Sequence, residues 1–158
     1  MPSLPLDALL PGDGSTPRLE QRDDDKDAPT PLTRSIWSFK LVAPLRDIRD
    51  LEQDGPSPKD FSAVDRLHQR ILDLDRSLPS YFRLEGTNWK WDSHPDCSWL
   101  VPTRFYLAKM TCFSLLALHR PYIFNRSKSR TEALKASLGL LRIQNLEFQG
   151  THPTSWKK

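Results

Sequence analysis

FSAVDRLHQRILDLDRSLP, residues 61–79, is the stretch that decides the fold. Phe61, Val64, Leu67, Ile71, Leu74 and Leu78 recur every three or four positions and form one apolar stripe, with Arg66, Arg70, Asp73 and Arg76 lying away from it. This period belongs to a helix packed by one face against a core. Pro79 ends it, because proline removes a backbone donor and clashes with the preceding turn.

Upstream, LTRSIWSFKLVAPLRDIRDL (32–51) repeats the helical period on two faces: Leu32, Ile36, Phe39 and Ala43 on one, Trp37, Leu41, Leu45 and Ile48 on the other. A helix apolar on two sides is predicted to be sandwiched between neighbours, with a kink near Val42 to Ala43 imposed by Pro44. EQDGPSPKD (52–60) reads as the loop between these two helices. Downstream, EGTNWKWDSHPDCSWLVP (85–102) is polar and aperiodic, which predicts a long surface loop. Its Trp89, Trp91 and Trp99 have only Lys90 close by, among Glu85, Asp92 and Asp96, so they read as covers for helix ends rather than as a base-stacking platform.

The next helix is expected from near Pro102 to a stop at Pro121; its second half is apolar nearly all round, which makes it the candidate central element. Ser129-Arg-Thr-Glu132 matches a capping box and predicts the start of a last helix. Ala133, Leu134, Ser137, Leu138, Leu140 and Leu141 are its expected core face, and Gly150 and Pro153 its end, before a bare THPTSWKK. With no strand candidate of useful length, the fold class is all-α with about four helices.

Composition bounds the packed part. The chain has 158 residues, enough for one domain, and a hydrophobic fraction of only 37%. The apolar deficit is concentrated in residues 1–31, which hold six of the 14 prolines and seven Asp/Glu against three Lys/Arg. An acidic, Pro-rich segment of this kind is expected to be disordered, leaving residues 32–158 as the folded unit. That remainder carries 20 Lys/Arg against 13 Asp/Glu. Its basic residues are dispersed and alternate with acids, as on a solvated surface. Cys97 and Cys112 are too few for a disulfide framework, which fits a reducing compartment. No stretch approaches the ~20 apolar residues of a membrane span, and the start has no secretory pattern, so no membrane role is expected.

The search for chemistry returns little. His94 and Cys97 in HPDC are one pair of potential zinc ligands where four converging ones are wanted. His68 sits at the edge of the 61–78 stripe with Asp75 two turns on, and reads as a core-edge hydrogen-bonding residue. His119 falls in the last turn of its helix, where a partly positive ring would favour the exposed carbonyls. Cys112 is embedded in an apolar helix, and neither a nucleophile motif nor a phosphate-binding glycine loop occurs. The expectation is therefore no catalytic residues, cofactor or metal ligands. Positive charge gathers late, with eight Lys/Arg against two Asp/Glu over residues 120–158. There Arg126, Lys128 and Arg130 are candidates for weak phosphate contacts.

LHRPYIFNRSKSRTEALKASLGLLRIQNLEFQG (118–150) resembles the late part of the fungal-specific regulatory domain, or middle homology region, of binuclear zinc-cluster transcription factors. SIWSFKL (35–41) and the pairing of helix 61–78 with LPSYFRLE (78–85) resemble earlier parts of that domain in the same order. The resemblance implies part of a helical-array regulatory domain, nuclear transcriptional regulation, and partners that are proteins or a related transcription factor, with self-association possible where later helices are lacking. The family's zinc ions and DNA contacts belong to an N-terminal cluster of six cysteines, and no residue here matches that cluster. DNA binding is therefore expected only through a missing cluster. A free-standing helical module that binds a related factor is the alternative reading, and a small all-α enzyme or ligand carrier is a third.

Overall fold

A computed structural model describes residues 27–151, and they are all-α: five helices with three single 3₁₀ turns and no strand among the described residues. α1 is Pro31–Val42, α2 Pro44–Glu52, α3 Ser62–Arg76, α4 Leu100–His119 and α5 Ser127–Thr151. The acidic segment expected to be disordered lies outside the described residues from 1 to 26, as does the tail 152–158. Its last residues, 27–31, belong to the fold. The Thr30 hydroxyl caps α1 by accepting from the Thr33 N–H at 3.1 Å, and the Thr30 N–H donates to Thr33 Oγ1 at 3.0 Å. Pro31 occupies the first turn, where a missing donor is harmless.

The first predicted helix breaks where Pro44 requires it, and the break lets one length of chain serve two cores. Trp37 and Leu41 on α1 join Leu78, Tyr81, Phe82, Cys97, Leu100 and Leu107 in one cluster. Ile48 on α2 joins Val64, Leu67, Ile71, Leu118 and Tyr122 in the other. α4 contributes to both clusters and touches α1, α2, α3 and α5, so it is the spine. α3 buries Val64, Leu67 and Ile71 of the stripe read from the sequence.

Several expectations need correction. α1 and α2 are covered on one face, not two: Phe39 and Leu32 stay exposed opposite Trp37 and Leu41. α4 begins at Leu100, which puts Pro102 in its first turn as expected, and Trp99 at the N-cap position donates its indole N–H to the Asp96 carbonyl at 2.8 Å. α4 is also open along one side, where Tyr106 and Phe113 are exposed. The expected capping box does not form. α5 starts at Ser127, Ser129 sits completely buried inside its first turn, and Glu132 pairs with Lys135 at 2.8 Å.

The largest correction concerns which face of α5 is inside. Ser129, Ala133, Ala136 and Ile143 are buried, whereas Leu134, Leu138 and Leu141 stand 60%, 57% and 68% exposed. The reason is the closeness of α5 to α4. A Cβ built on Gly139 would lie 3.0 Å from Cys112 Sγ, so the two helices come close at this position. Ala133 and Ala136 line the approach to it, with Ile143 buried beyond, and Leu134, Leu138 and Leu141 are turned outward.

Replacing Gly139 with Leu is expected to destabilise the chain by about 1–3 kcal/mol, as overpacking does. This should appear as a lower urea midpoint with the helical circular dichroism kept at low denaturant. An unchanged midpoint would mean that α5 does not approach α4 this closely.

Candidate functional site

Three side-chain assemblies stand out. The first is a buried chain of hydrogen bonds joining α3, α4 and α5. His68 Nδ1 lies 2.8 Å from His119 Nε2, and His119 Nδ1 lies 3.1 Å from Ser129 Oγ. His119, the last residue of α4, and Ser129, in the first turn of α5, are wholly buried on either side of the turn at Arg120–Tyr122. Burial, and then the neighbouring His68, pull the His119 pKa down to about 4, and burial also lowers that of His68. Both rings are therefore neutral at physiological pH, each able to donate from one nitrogen and accept at the other. This overturns the expectation of a partly positive His119 facing helix carbonyls. Asp75 is not the partner of His68 either: it accepts from the Thr111 hydroxyl at 2.9 Å. Ser129 is adjacent to a histidine, but no solvent reaches its hydroxyl, so the arrangement holds three helices in register.

The second assembly gathers the expected phosphate-contacting residues, and the structure shows what they touch instead. Arg126 and Lys128 both bind Asp65 of α3, at 2.6 and 2.8 Å, and their hydrogen bonds, Arg126 first, hold its carboxyl down at about 2. The Arg126 guanidinium also lies over the Phe61 ring, 4.7 Å from its centre. Arg130 donates its Nε–H to the Ile123 carbonyl at 3.1 Å and is exposed. Two of the three are thus committed to a carboxylate, and Arg130 is the one turned to solvent.

The third is a pin under the tryptophan loop. Arg104, 2% exposed, makes a forked ion pair with Asp92 at 2.7 and 3.1 Å and donates to the Tyr81 carbonyl at 3.0 Å. Trp89 lies against its guanidinium at 4.8 Å, while Trp91 and Trp99 pack on the first core cluster. Two of the three tryptophans thus pack on the core rather than forming a base-stacking platform, and nothing local in the sequence marked the buried arginine beside them.

No group of three or more His, Cys, Asp or Glu among the described residues could hold a metal ion. The expected weak pair is separated as well: the His94 ring accepts from the Asp96 N–H at 3.3 Å, while buried Cys97 points its thiol at the Pro29 carbonyl. The described residues therefore offer no donor set suited to the zinc ions that the resemblance implies for the family. A groove of about 590 Å³ runs between α3, α4 and α5, walled by Leu78, Phe82, Ile143 and Leu146, with Arg76, Arg83 and Arg142 along its edge. Cys112 borders it, and burial raises its thiol pKa, which keeps it protonated and unreactive. None of the described helices is long and apolar enough to cross a membrane.

No protein-family model matches the chain, and neither a curated protein nor a solved structure does.

Two outcomes follow from these pins. A histidine with a folded pKa near 4, against about 6.5 unfolded, binds fewer protons in the folded chain, so stability should fall as pH drops from about 6.5 to 4. Denaturation of His119→Gln across that window should show a shallower slope. An identical slope would remove the histidines as its cause. Arg104→Leu leaves Asp92 without its counter-charge and should cost about 3 kcal/mol. Hydrogen exchange should quicken across residues 84–98 first; uniform quickening would show that the pin does not act on the loop.

Proposed function

We propose that this chain is part of the regulatory domain of a fungal zinc-cluster transcription factor, acting in the nucleus through protein contacts and not by reading DNA. The observation that supports the reading best is where the resembling residues sit. HRPYI, residues 119–123, is the joint between α4 and α5, with His119 and Tyr122 buried and the Ser129 hydroxyl held by His119. Residues that resemble a family at such a joint speak to a shared fold and not to a shared ligand, which points away from chemistry at this position.

The same geometry bears on nucleic acid. Specific readout requires side chains delivered to base edges by a rigid element. Of the eight late cations, Arg126 and Lys128 are engaged on Asp65 and Lys135 on Glu132, and Lys109 of α4 is engaged on Glu147. What remains supports at most weak, salt-sensitive association, of the order of 10⁻⁴ to 10⁻⁶ M.

The alternative, a free-standing interaction module that binds a related factor, draws on a different observation. Leu134, Leu138 and Leu141 are presented to solvent on the outside of α5, as a surface for another protein would be.

The test fuses the chain to an unrelated DNA-binding domain and measures a reporter in fungal nuclei, alongside selection of the unfused chain against random duplexes. The expected outcome is a several-fold change in reporter output and no enriched DNA motif. A motif that survives bulk competitor DNA, or a reporter indifferent to the fusion, would overturn the reading.

A further inference from the structure

We propose that the outer face of α5 is a docking surface for an acidic amphipathic helix of another protein. The inference rests on reading the chain as a protein-interaction module. Leu134, Leu138 and Leu141 are separated by four and three residues, so they line one side of the helix, and the exposed Asn145 continues the spacing. All three leucines are more than half exposed, on the side opposite buried Ala133, Ala136 and Ile143. Apolar residues at such intervals on a solvent face are what an incoming helix packs against.

Charge selects the partner. The exposed cations beside this stripe are Arg130 and Arg142, while Lys135 spends its charge on Glu132 at 2.8 Å. The carboxylates of α5, Glu132 and Glu147, are both engaged, on Lys135 and on Lys109 of α4. Arg142 is 74% exposed at its side chain, and its nearest carboxylate, Glu85, is 3.9 Å away. The rim of the stripe is therefore positive, and an apolar helix with glutamates or aspartates at its edges complements it. A second copy would bring Arg130 and Arg142 against their own kind. Three leucines a side also cover well under the ~1,200 Å² total at the low end of stable specific interfaces. The same small area makes the acidic partner a transient one, in which charge contributes strongly to the encounter.

Two fluorescent peptides serve as probes: a helix with leucines at the four-three spacing flanked by glutamates, and its twin with lysines in place of the glutamates. Titrated with the full chain at low salt, the glutamate peptide should bind at least tenfold more tightly than the lysine peptide. Leu138→Asp should weaken it tenfold or more with circular dichroism unchanged, since the position is exposed. Arg142→Glu combined with Arg130→Glu should narrow or reverse the preference, and this second variant keeps the apolar stripe intact. Equal binding of both peptides, no binding, or binding indifferent to Leu138→Asp would each overturn the proposal. So would a concentration-dependent dimer that Leu138→Asp dissolves, because the stripe would then belong to a second copy. A negative result here beside a positive fusion reporter removes this surface and leaves the transcriptional reading standing; the reverse pattern does the opposite.

Discussion

The close seating of α5 on α4 is the constraint from which most of the structure follows. Opposite Gly139 even a Cβ would press on Cys112 Sγ, and the seam there is built from Ser129, Ala133, Ala136 and Gly139, with Ile143 buried beyond them. Short side chains bury little apolar area each, so this contact gains from close backbone approach and dispersion more than from hydrophobic transfer. It also fixes rotation: once Ala133, Ala136 and Ile143 face inward, Leu134, Leu138 and Leu141 have solvent left to face, while Leu140 is half-buried between the two sides. The outer stripe is thus a geometric consequence of the inner seam.

α4 carries a polar anchor at each end, and each solves a different problem. Near its start, Arg104 is buried with its counter-ion Asp92, and the fork geometry together with the Tyr81 carbonyl satisfies a charge that would otherwise be costly inside. What this fixes is the path of the aperiodic residues between Phe82 and Leu100, whose own backbone has little regular hydrogen bonding to hold it. At the other end, His119 is buried between His68 and Ser129 and orients α3 and α5 about the helix end. A ring that both donates and accepts suits this place, because its neighbours are another imidazole and a hydroxyl, each able to take either role. Keeping it uncharged ties the joint to pH, which an apolar residue there would not do.

The helices, the loop and the break at Pro44 were legible because periodicity and proline act locally: Val64, Leu67 and Ile71 announce a buried face whatever they meet. The α5 core face was not legible from hydrophobicity alone. Leucine weighs more than alanine on any scale, so the outward stripe outweighed the inward one, although the recurrence of Ser129, Ala133, Ala136 and Gly139 was present as a signal of close packing. Ser129 misled for a related reason. Its spacing to Glu132 fits a cap, but the hydroxyl is drawn to His119, ten residues back in the chain and close only after the turn at Arg120–Tyr122 has formed. Arg126 and Lys128 looked like free cations because their acceptor, Asp65, is about 60 residues away in sequence.

Residues that build the fold separate from those left without an internal role. The ones whose role needed the structure, Arg104, His119, Ser129 and Asp65, are all partnered internally, and their chemistry is spent on holding helices together. Leu134, Leu138 and Leu141 are the reverse: assigned to the core by their chemistry, and left outside it by the structure. A single exposed leucine is ordinary on any protein surface, but three in helical register beside a rim of cations form a surface with shape and sign. Nothing in the α4–α5 seam requires leucine at those positions, since lysine or glutamine would satisfy the inner face equally well and suit solvent better. The outer side of α5, rather than the buried hydrogen-bonded chain that looks more like chemistry, is therefore where the described residues leave the most apolar surface without an internal role.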